Sequence, residues 1–391
     1  MSTPRPVLAA ARRTPFGRYR GGLSGIRTDD LLGQTIAALI AGTPELDPTQ
    51  IDDVIMGDSN GAGEDNRNVA RMSALLAGLP LTVPGVTVNR LCGSGAEAIV
   101  QAARAVRAGD MDLVLAGGVE SMSRAPYVLP KSDKPLDPAM RLEQTTVGWR
   151  LINPAFPAHW TDSLGACAQR SATARGISRA EQDDWAARSH ELASAAWAKG
   201  YHDGFAFAVD GVSIDESIRA DCTAETLARL KPAFTTDGTV TAGNSSPIND
   251  GAVATLITSE EKALELGLAP IGAILGSAVV ATEPDDFASA PVPAIHKLLQ
   301  RTGHSFADIN LFEINEAFAA MVLTVLHDAP EINLAKVNPN GGAIAIGHPV
   351  GASAARVVVD TCRELQRRGG GLGIATACIG VGLGIAVLVE V

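Results

Sequence analysis

Three glycine-rich turns carry the residues of this chain best suited to covalent chemistry. They are NRLCGSG (89–95) with Cys92, GGAIAIGHPVGAS (341–353) with His348, and ATACIGVGLG (375–384) with Cys378. Together they supply two thiols and an imidazole. A free cysteine has a pKa near ~8.5 and is mostly protonated at neutral pH, so a nucleophilic cysteine needs a base beside it. Flanking glycines permit a tight backbone and close approach of a substrate. The set points to acyl transfer from a thioester.

Each of these residues also has an ordinary structural reading. A lone cysteine is usually a small buried hydrophobe, and that reading is given to Cys167, Cys222 and Cys362. Taken alone, Cys92 is balanced between nucleophile and core residue, Cys378 is equally suited to a strand end, and Asn315 to a loop or cap. His348 could be a helix cap, but Gly347, Pro349 and Gly351 put it on a tight turn with nothing apolar to bury. Two glycines after Cys378 let the backbone approach a reacting carbonyl. Glu316 is read as solvated and outside the chemistry. The remaining histidines, His159, His190, His202, His296, His304 and His327, have no partner spacing and are read as surface or ordinary structural residues.

The elements that must position these turns alternate between strand and helix. Short apolar runs bounded by glycine predict buried strands at 7–12, 51–58, 86–95, 112–118 and 252–258, with helices at 29–41 and up to Gly109. The same order recurs as strands at 271–280, 309–318, 337–351, 372–377 and 384–389, with helices near 292–302 and up to Arg368. This is a duplicated α/β unit. Cys92 and His348 take equivalent places in the two copies, each just before a helix. Packed about a pseudo-twofold axis, the two helix N-termini converge, and their free N–H groups are expected to favour a thiolate and an oxyanion. Between the copies, 119–249 is an insertion with proline-rich loops and a polar helical stretch at 163–199.

Composition bounds the function. A chain of 391 residues predicts two or three domains, and 40 glycines with 4% aromatics fit an α/β protein rich in small-residue turns. The net charge of −11 argues against general nucleic-acid binding. Five cysteines without a C-x-x-C pair fit a reducing, cytoplasmic setting, and no cluster has zinc-ligand spacing. The apolar runs are too short to cross a membrane. The N-terminal arginines superficially resemble a transit peptide, a reading set aside below.

Six runs in order resemble the thiolase family of acetyl-CoA acyltransferases: 11–24, 116–127, 239–252, NEAF (315–318) and the two C-terminal turns. The likeness already begins at 7–17, which leaves no removable leader. It implies an α/β thiolase fold of two similar mixed-sheet halves in layers: 1–118 with 250–268, and 269–391. The 119–249 insertion would be a loop domain covering coenzyme A. It also implies CoA-dependent cleavage of a 3-oxoacyl-CoA, or the reverse Claisen condensation, by a ping-pong route through an acyl-cysteine. Cys92 would be the nucleophile, His348 its base, and Cys378 the acid and base for the α-carbon. Asn315, through a water, and His348 would form one oxyanion hole, and the backbone N–H groups of Cys92 and Gly380 the other. Arg219, Thr226, Ser246, Phe318 and Leu164 would lie along coenzyme A or the acyl group. Coenzyme A and acyl-CoA would be substrates, with no tightly bound cofactor and no metal. A homotetramer, and at least a homodimer, is implied by the likeness of 124–145 to a dimer-joining loop.

Around the acyl pocket the chain departs from the family. It has LGACAQRSA (164–172) where many thiolases read something like MGxTAENVA, and Val381 and Leu383 in CIGVGLG. The stretches 63–80 and 145–154 resemble thiolases that cleave 3-oxoadipyl-CoA in aromatic degradation. A general short-chain acetyl-CoA acetyltransferase and a β-oxidation thiolase are alternatives. For a terminal carboxylate, the nearest cations by sequence are Arg141 and Arg150. Three other readings are weaker. Gly93-Ser94-Gly95 imitates a dinucleotide fingerprint, but Asp112, about twenty residues on, opens its strand instead of ending it. A ketoacyl synthase would use a second His or Asn where Cys378 stands. A non-catalytic acyl-CoA-binding relative would have lost a catalytic residue.

Overall fold

A computed structural model describes residues 3–391. The chain begins with β1 (Pro6–Arg13), β2 (Gly17–Arg18), α1 (Thr28–Ala41), β3 (Asp53–Gly57), α2 (Val69–Leu76), β4 (Val86–Val88), α3 (Ser94–Ala108) and β5 (Leu113–Ser121). An excursion follows, with β6 (Tyr127–Val128), β7 (Glu143–Gln144), α4 (Leu164–Ala174), α5 (Arg179–Ala198) and α6 (Ala224–Leu227). The chain returns through β8 (Asn249–Ser259), α7 (Glu260–Glu265) and β9 (Gly272–Ala281). It finishes with α8 (Pro291–Thr302), β10 (Ile309–Ile314), α9 (Ala319–Asp328), α10 (Ala343–Ile346), α11 (Val350–Arg368), β11 (Leu372–Ile379) and β12 (Leu383–Glu390).

The duplication is visible in strand pairing. In the first copy β3 runs parallel to β5, β5 antiparallel to β8, and β8 antiparallel to β1. In the second, β10 runs parallel to β11, β11 antiparallel to β12, and β12 antiparallel to β9. Even the short edge strand β4 has a counterpart, the parallel bridge from Phe312 to Val337. The halves are also joined edge to edge. Val7 pairs with Ala273 and Leu8 with Gly272, so the order β10-β11-β12-β9-β1-β8-β5-β3-β4 is continuous.

Helices cover both faces of each half-sheet, which is why all nine residues of β5 are buried and its sequence shows no alternation. Helices α1 and α2 lie on one outer side and α8 and α9 on the other. The central layer is α3 against α11, sandwiched between the half-sheets. Their N-termini pack closely: a Cβ on Gly95 would meet Gly351 O and the Ala355 Cβ, both at 2.8 Å, and one on Gly351 would meet Val119 O of β5 at 2.2 Å. A larger residue at 95 would push α3 from α11, and one at 351 would push α11 from β5.

Several element boundaries differ from expectation. The helical stretch at 163–199 is two helices, because Ser178 and Glu181 form a capping box that restarts the chain as α5. The predicted strand at 309–318 ends at Ile314, where the backbone turns to present Asn315. In the 337–351 segment only the Val337 bridge is strand-like, and α10 and the start of α11 occupy its end. Among the described residues no helix is long and apolar enough to cross a membrane.

Candidate active site

Cys92 sits in a single 3-10 turn, Leu91–Gly93, that runs directly into α3. Leu91 has φ +46°, a left-handed conformation unusual for a leucine. The turn is held by side chains: Asn89 Oδ1 accepts from Leu91 N at 2.9 Å, and Ser94 Oγ accepts from Arg90 N at 2.8 Å while donating to Leu91 O at 2.7 Å. Burial pushes the Cys92 thiol up, outweighing the backbone N–H groups of Gly380 and of Cys92 itself, which pull it down. The N–H groups thus favour the thiolate, as expected of this turn, but desolvation of the buried anion outweighs them.

His348 lies in the other copy, one residue before Pro349 caps α11. Gly347 before it has φ +113° and no room for a Cβ, which would lie 2.6 Å from the Asn249 amide. That amide is the anchor. Asn249 Oδ1 accepts from His348 N at 3.0 Å, while Nδ2 donates to Gly17 O and Ser217 Oγ at 2.8 and 2.9 Å. The imidazole Nδ1 lies 2.6 Å from Ser353 Oγ, whose own proton goes to Pro349 O at 2.8 Å. Nδ1 therefore carries the ring proton, and Nε2 presents a lone pair, met by Asn315 Nδ2 at 3.4 Å. Burial first, and the Arg356 cation second, bring the His348 pKa down to about 4.

The resting pair is thus a neutral thiol and a neutral imidazole. Such a pair transfers its proton as the sulfur attacks, not before. Ser353→Ala is expected to slow acetylation of Cys92 about tenfold, because a hydrogen bond to a charged group, here the forming imidazolium, is worth ~1.5–3 kcal/mol. Quenched-flow mass spectrometry reads this rate directly. A wild-type rate in Ser353→Ala would remove the hydroxyl from the machinery.

Cys378 lies near the end of β11, paired with Gly384, and is buried. Its thiol is pushed well above the usual range by burial and then by neighbouring Cys92. Held protonated beside Cys92, it can give a proton and, once it has done so, take one back. Asn315 follows β10, with its N–H on Thr376 O at 2.9 Å, and its buried Oδ1 has no partner among the described residues.

Cys92 and Gly380 open into a cavity of about 540 Å³. Its apolar wall includes Leu91, Met122, Val147, Trp149, Leu151, Leu164, Val350 and Val381, and its polar wall Ser59, Asn60, Glu120, Thr145 and Arg150. The two cations suggested by the sequence separate here. Arg141 is exposed and outside the lining, whereas Arg150 Nη2 donates to Asn60 Oδ1 at 3.2 Å within it. Among the described residues no carboxylate pairs with Arg150, whereas the half-buried Arg90, Arg124, Arg175 and Arg179 each have one.

Of the residues expected along coenzyme A, Leu164 lines the cavity and the other four lie outside it. Phe318 packs edge-on against Phe234 and Phe287 at 5.9 and 6.2 Å. Ser246 is half-buried beside it, its N–H on Ala317 O at 2.9 Å. Arg219 is exposed, its backbone N–H on His190 Nδ1 at 3.2 Å. Thr226 is exposed and closes a capping box with Thr223.

Two bland readings are corrected. Glu316 is fully buried, not solvated: it accepts from Trp185 Nε1, Ser189 Oγ, Asn338 Nδ2 and Ile344 N at 3.0, 2.6, 2.9 and 3.2 Å, and so ties the insertion to the Asn315 turn. Cys222 is half-buried, not a core residue. Sequence reasoning missed Asn249, Ser353, Asn60 and Glu120. Ser353 had a signal, lying one turn along α11 from the residues that flank His348. Asn249 and Asn60 had none, being far from their partners in the chain.

Comparison with known proteins agrees with this arrangement. The family model described as "Thiolase, N-terminal domain" matches residues 6–261, and "Thiolase, C-terminal domain" matches 268–391. The chain is 47% identical over 393 residues to the beta-ketoadipyl-CoA thiolase of Pseudomonas knackmussii, covering 97% of both chains. It is 46% identical to the 3-oxoadipyl-CoA/3-oxo-5,6-dehydrosuberyl-CoA thiolase of Escherichia coli K12, again over 97% of both. The human mitochondrial 3-ketoacyl-CoA thiolase in complex with CoA superposes with a TM-score of 0.92 at 35% identity, covering 99% of this chain and 98% of that one. With paired thiols and an imidazole on three glycine turns of a duplicated α/β fold, and both family models matched along its length, the chain belongs to the thiolase family of acyltransferases.

Proposed function

We propose that this thiolase cleaves 3-oxoadipyl-CoA with coenzyme A to give succinyl-CoA and acetyl-CoA. The observation that carries the reading is Arg150, a cation with only a neutral partner in the cavity that holds Cys92. Burying a substrate carboxylate there without such a group would be costly, and an arginine answers a carboxylate with two parallel hydrogen bonds. The names of two relatives, which specify thioesters of dicarboxylic acids, point the same way.

The reaction assigns each residue a step. Cys92 Sγ adds to the C3 carbonyl as its proton passes to His348 Nε2. The resulting oxyanion is met by the Cys92 and Gly380 N–H groups, a reading supported by both N–H groups acting on the sulfur already. The C2–C3 bond breaks, and Cys378 protonates the carbanion to release acetyl-CoA. The C1 thioester oxygen of the leaving acetyl-CoA enolate is met by His348 and an Asn315-bound water; coenzyme A then attacks the carbonyl of succinyl-Cys92, its thiol proton passing to the Cys378 thiolate while His348 returns its proton to the departing Cys92 sulfur. Coenzyme A enters as a substrate. We further assign it to a groove past Leu164 and Phe318, with its phosphates toward Arg219 and its pantetheine arm near Ser246 and Thr226. No tightly bound cofactor and a cytoplasmic setting complete the reading, supported by the cysteine usage.

The test compares kcat/KM for 3-oxoadipyl-CoA, acetoacetyl-CoA and a long-chain 3-oxoacyl-CoA. We expect 3-oxoadipyl-CoA to be preferred, and Arg150→Ala to cut that preference about 100-fold, the scale of a lost charge-assisted pair. Equal use of acetoacetyl-CoA would indicate a general short-chain enzyme, and preference for the long chain a β-oxidation enzyme.

We also propose at least a homodimer, and a tetramer built as a dimer of dimers. The excursion after β5 exposes Tyr127, Leu129, Leu136, Leu142 and Leu151, an apolar set that another copy would cover. Sedimentation equilibrium at micromolar protein is expected to give four times the chain mass of 40.4 kDa. A monomer would overturn this.

A further inference from the structure

A succinyl group on a thiol carries its own means of escape. Its free carboxylate lies two methylenes from the thioester carbon, so a carboxylate oxygen can close a five-membered ring onto that carbon. The C–S bond breaks, succinic anhydride leaves, the Cys92 thiolate takes back a proton, and water opens the anhydride to succinate. No coenzyme A is consumed, and the turnover yields hydrolysis in place of succinyl-CoA. Well-oriented intramolecular reactions reach effective molarities of about 10⁵ M or more, so a loosely held succinyl chain is a threat to the intermediate. An acetyl group has no such path.

We propose that Arg150, besides selecting the substrate, holds the carboxylate of succinyl-Cys92 extended and thereby prevents the acyl-enzyme from discharging itself. This rests on the 3-oxoadipyl-CoA reading above. Arg150 and Cys92 line one cavity, and the guanidinium is fixed by a chain of neutral groups instead of a competing carboxylate. Its Nη2 donates to Asn60 Oδ1 at 3.2 Å, Asn60 Nδ2 donates to Thr145 Oγ1 at 3.0 Å, and Thr145 Oγ1 donates to Pro126 O at 2.7 Å. That chain orients the fork while leaving its other N–H groups for an incoming anion. A carboxylate engaged by two N–H groups loses both the freedom to fold back and much of its nucleophilicity.

The experiment loads Cys92 of the intact enzyme from succinyl-CoA and, separately, from acetyl-CoA, at concentrations raised until the site is filled. Free coenzyme A and its esters are then removed, and acyl-Cys92 is followed by mass spectrometry. In the wild type the two acyl groups are expected to discharge within about threefold of each other. In Arg150→Gln the succinyl group is expected to leave at least about tenfold faster than acetyl in the same protein, a small part of the available effective molarity. Arg150→Lys should fall between. The acetyl reference within each protein separates this effect from general loosening of the fold. With ¹³C at the thioester carbonyl and H₂¹⁸O as solvent, ring closure places ¹⁸O on both carboxyl groups of the released succinate, whereas direct hydrolysis labels only the ¹³C carboxyl. Equal succinyl and acetyl rates in Arg150→Gln, or label confined to the ¹³C carboxyl, would overturn the proposal. If wild-type Cys92 accepts acetyl but not succinyl, the 3-oxoadipyl-CoA reading falls and this inference with it. Normal succinylation with an unchanged ratio removes the protective role alone.

Discussion

Replacing Cys92 by serine is expected to lower kcat/KM by about 10⁴-fold or more, as loss of a nucleophile does in enzymes that work through a covalent intermediate. The size follows from the base. With a pKa brought down to about 4, the His348 imidazole is a weak acceptor. It can take a proton from a thiol whose charge passes into the forming C–S bond, but an alcohol, far less acidic, is beyond it. The same property shapes the pH dependence. His348 is neutral above its depressed pKa, so acetylation of Cys92 should keep its rate down toward about pH 4 instead of falling near the usual histidine value. After incubation with acetyl-CoA, peptide mass spectrometry should find the acetyl group on Cys92 and on none of Cys167, Cys222, Cys362 or Cys378. Acetylation elsewhere, or undiminished labelling in Cys92→Ser, would refute the mechanism.

Cys378→Ala is expected to cost about 10³-fold in overall turnover, within the range of a general acid–base residue, but to divide the reaction unevenly. Acetylation of Cys92 needs no proton at the α-carbon and should retain a substantial rate. Exchange of the acetyl methyl protons with deuterated solvent needs Cys378 directly and should be lost. Methyl exchange at the wild-type rate in Cys378→Ala would take the residue out of this role.

The duplicated order of strands and helices could be read in the chain because buried strands between helices are short, continuous and bounded by glycine, as in 112–118 and 372–377. The three glycine turns could be read for a related reason: tight backbone bearing a cysteine or histidine leaves that residue among glycines. Other features were hidden. Helix α9 (AAMVLTVLHD) is apolar on nearly every face, so it shows no 3.6-residue period. Glu316 looked like a solvated acid because its four donors come from positions as distant as 185 and 344. Asn249 looked like part of a loop, yet it orients His348 across 99 positions of chain. Such long-range partners leave no local pattern, whereas residues one helical turn apart, such as Pro349 and Ser353, do.

The excursion between β5 and β8 leaves and re-enters the core at neighbouring positions, since Ser121 pairs directly with Asp250 across two antiparallel strands. Its two ends are therefore one strand spacing apart, whatever lies between them. Arg150, Trp149 and Leu164 belong to this excursion, while Cys92, Asn315, His348 and Cys378 belong to the duplicated core. The excursion is not uniform, however: Ser217, Trp185 and Ser189, with Asn249 where it re-enters the core, brace His348 and the Asn315 turn, while 147–151 line the cavity. Exchange confined to 147–151 is therefore expected to retune the acyl group accepted while the turns bearing Cys92, His348 and Cys378 keep their register.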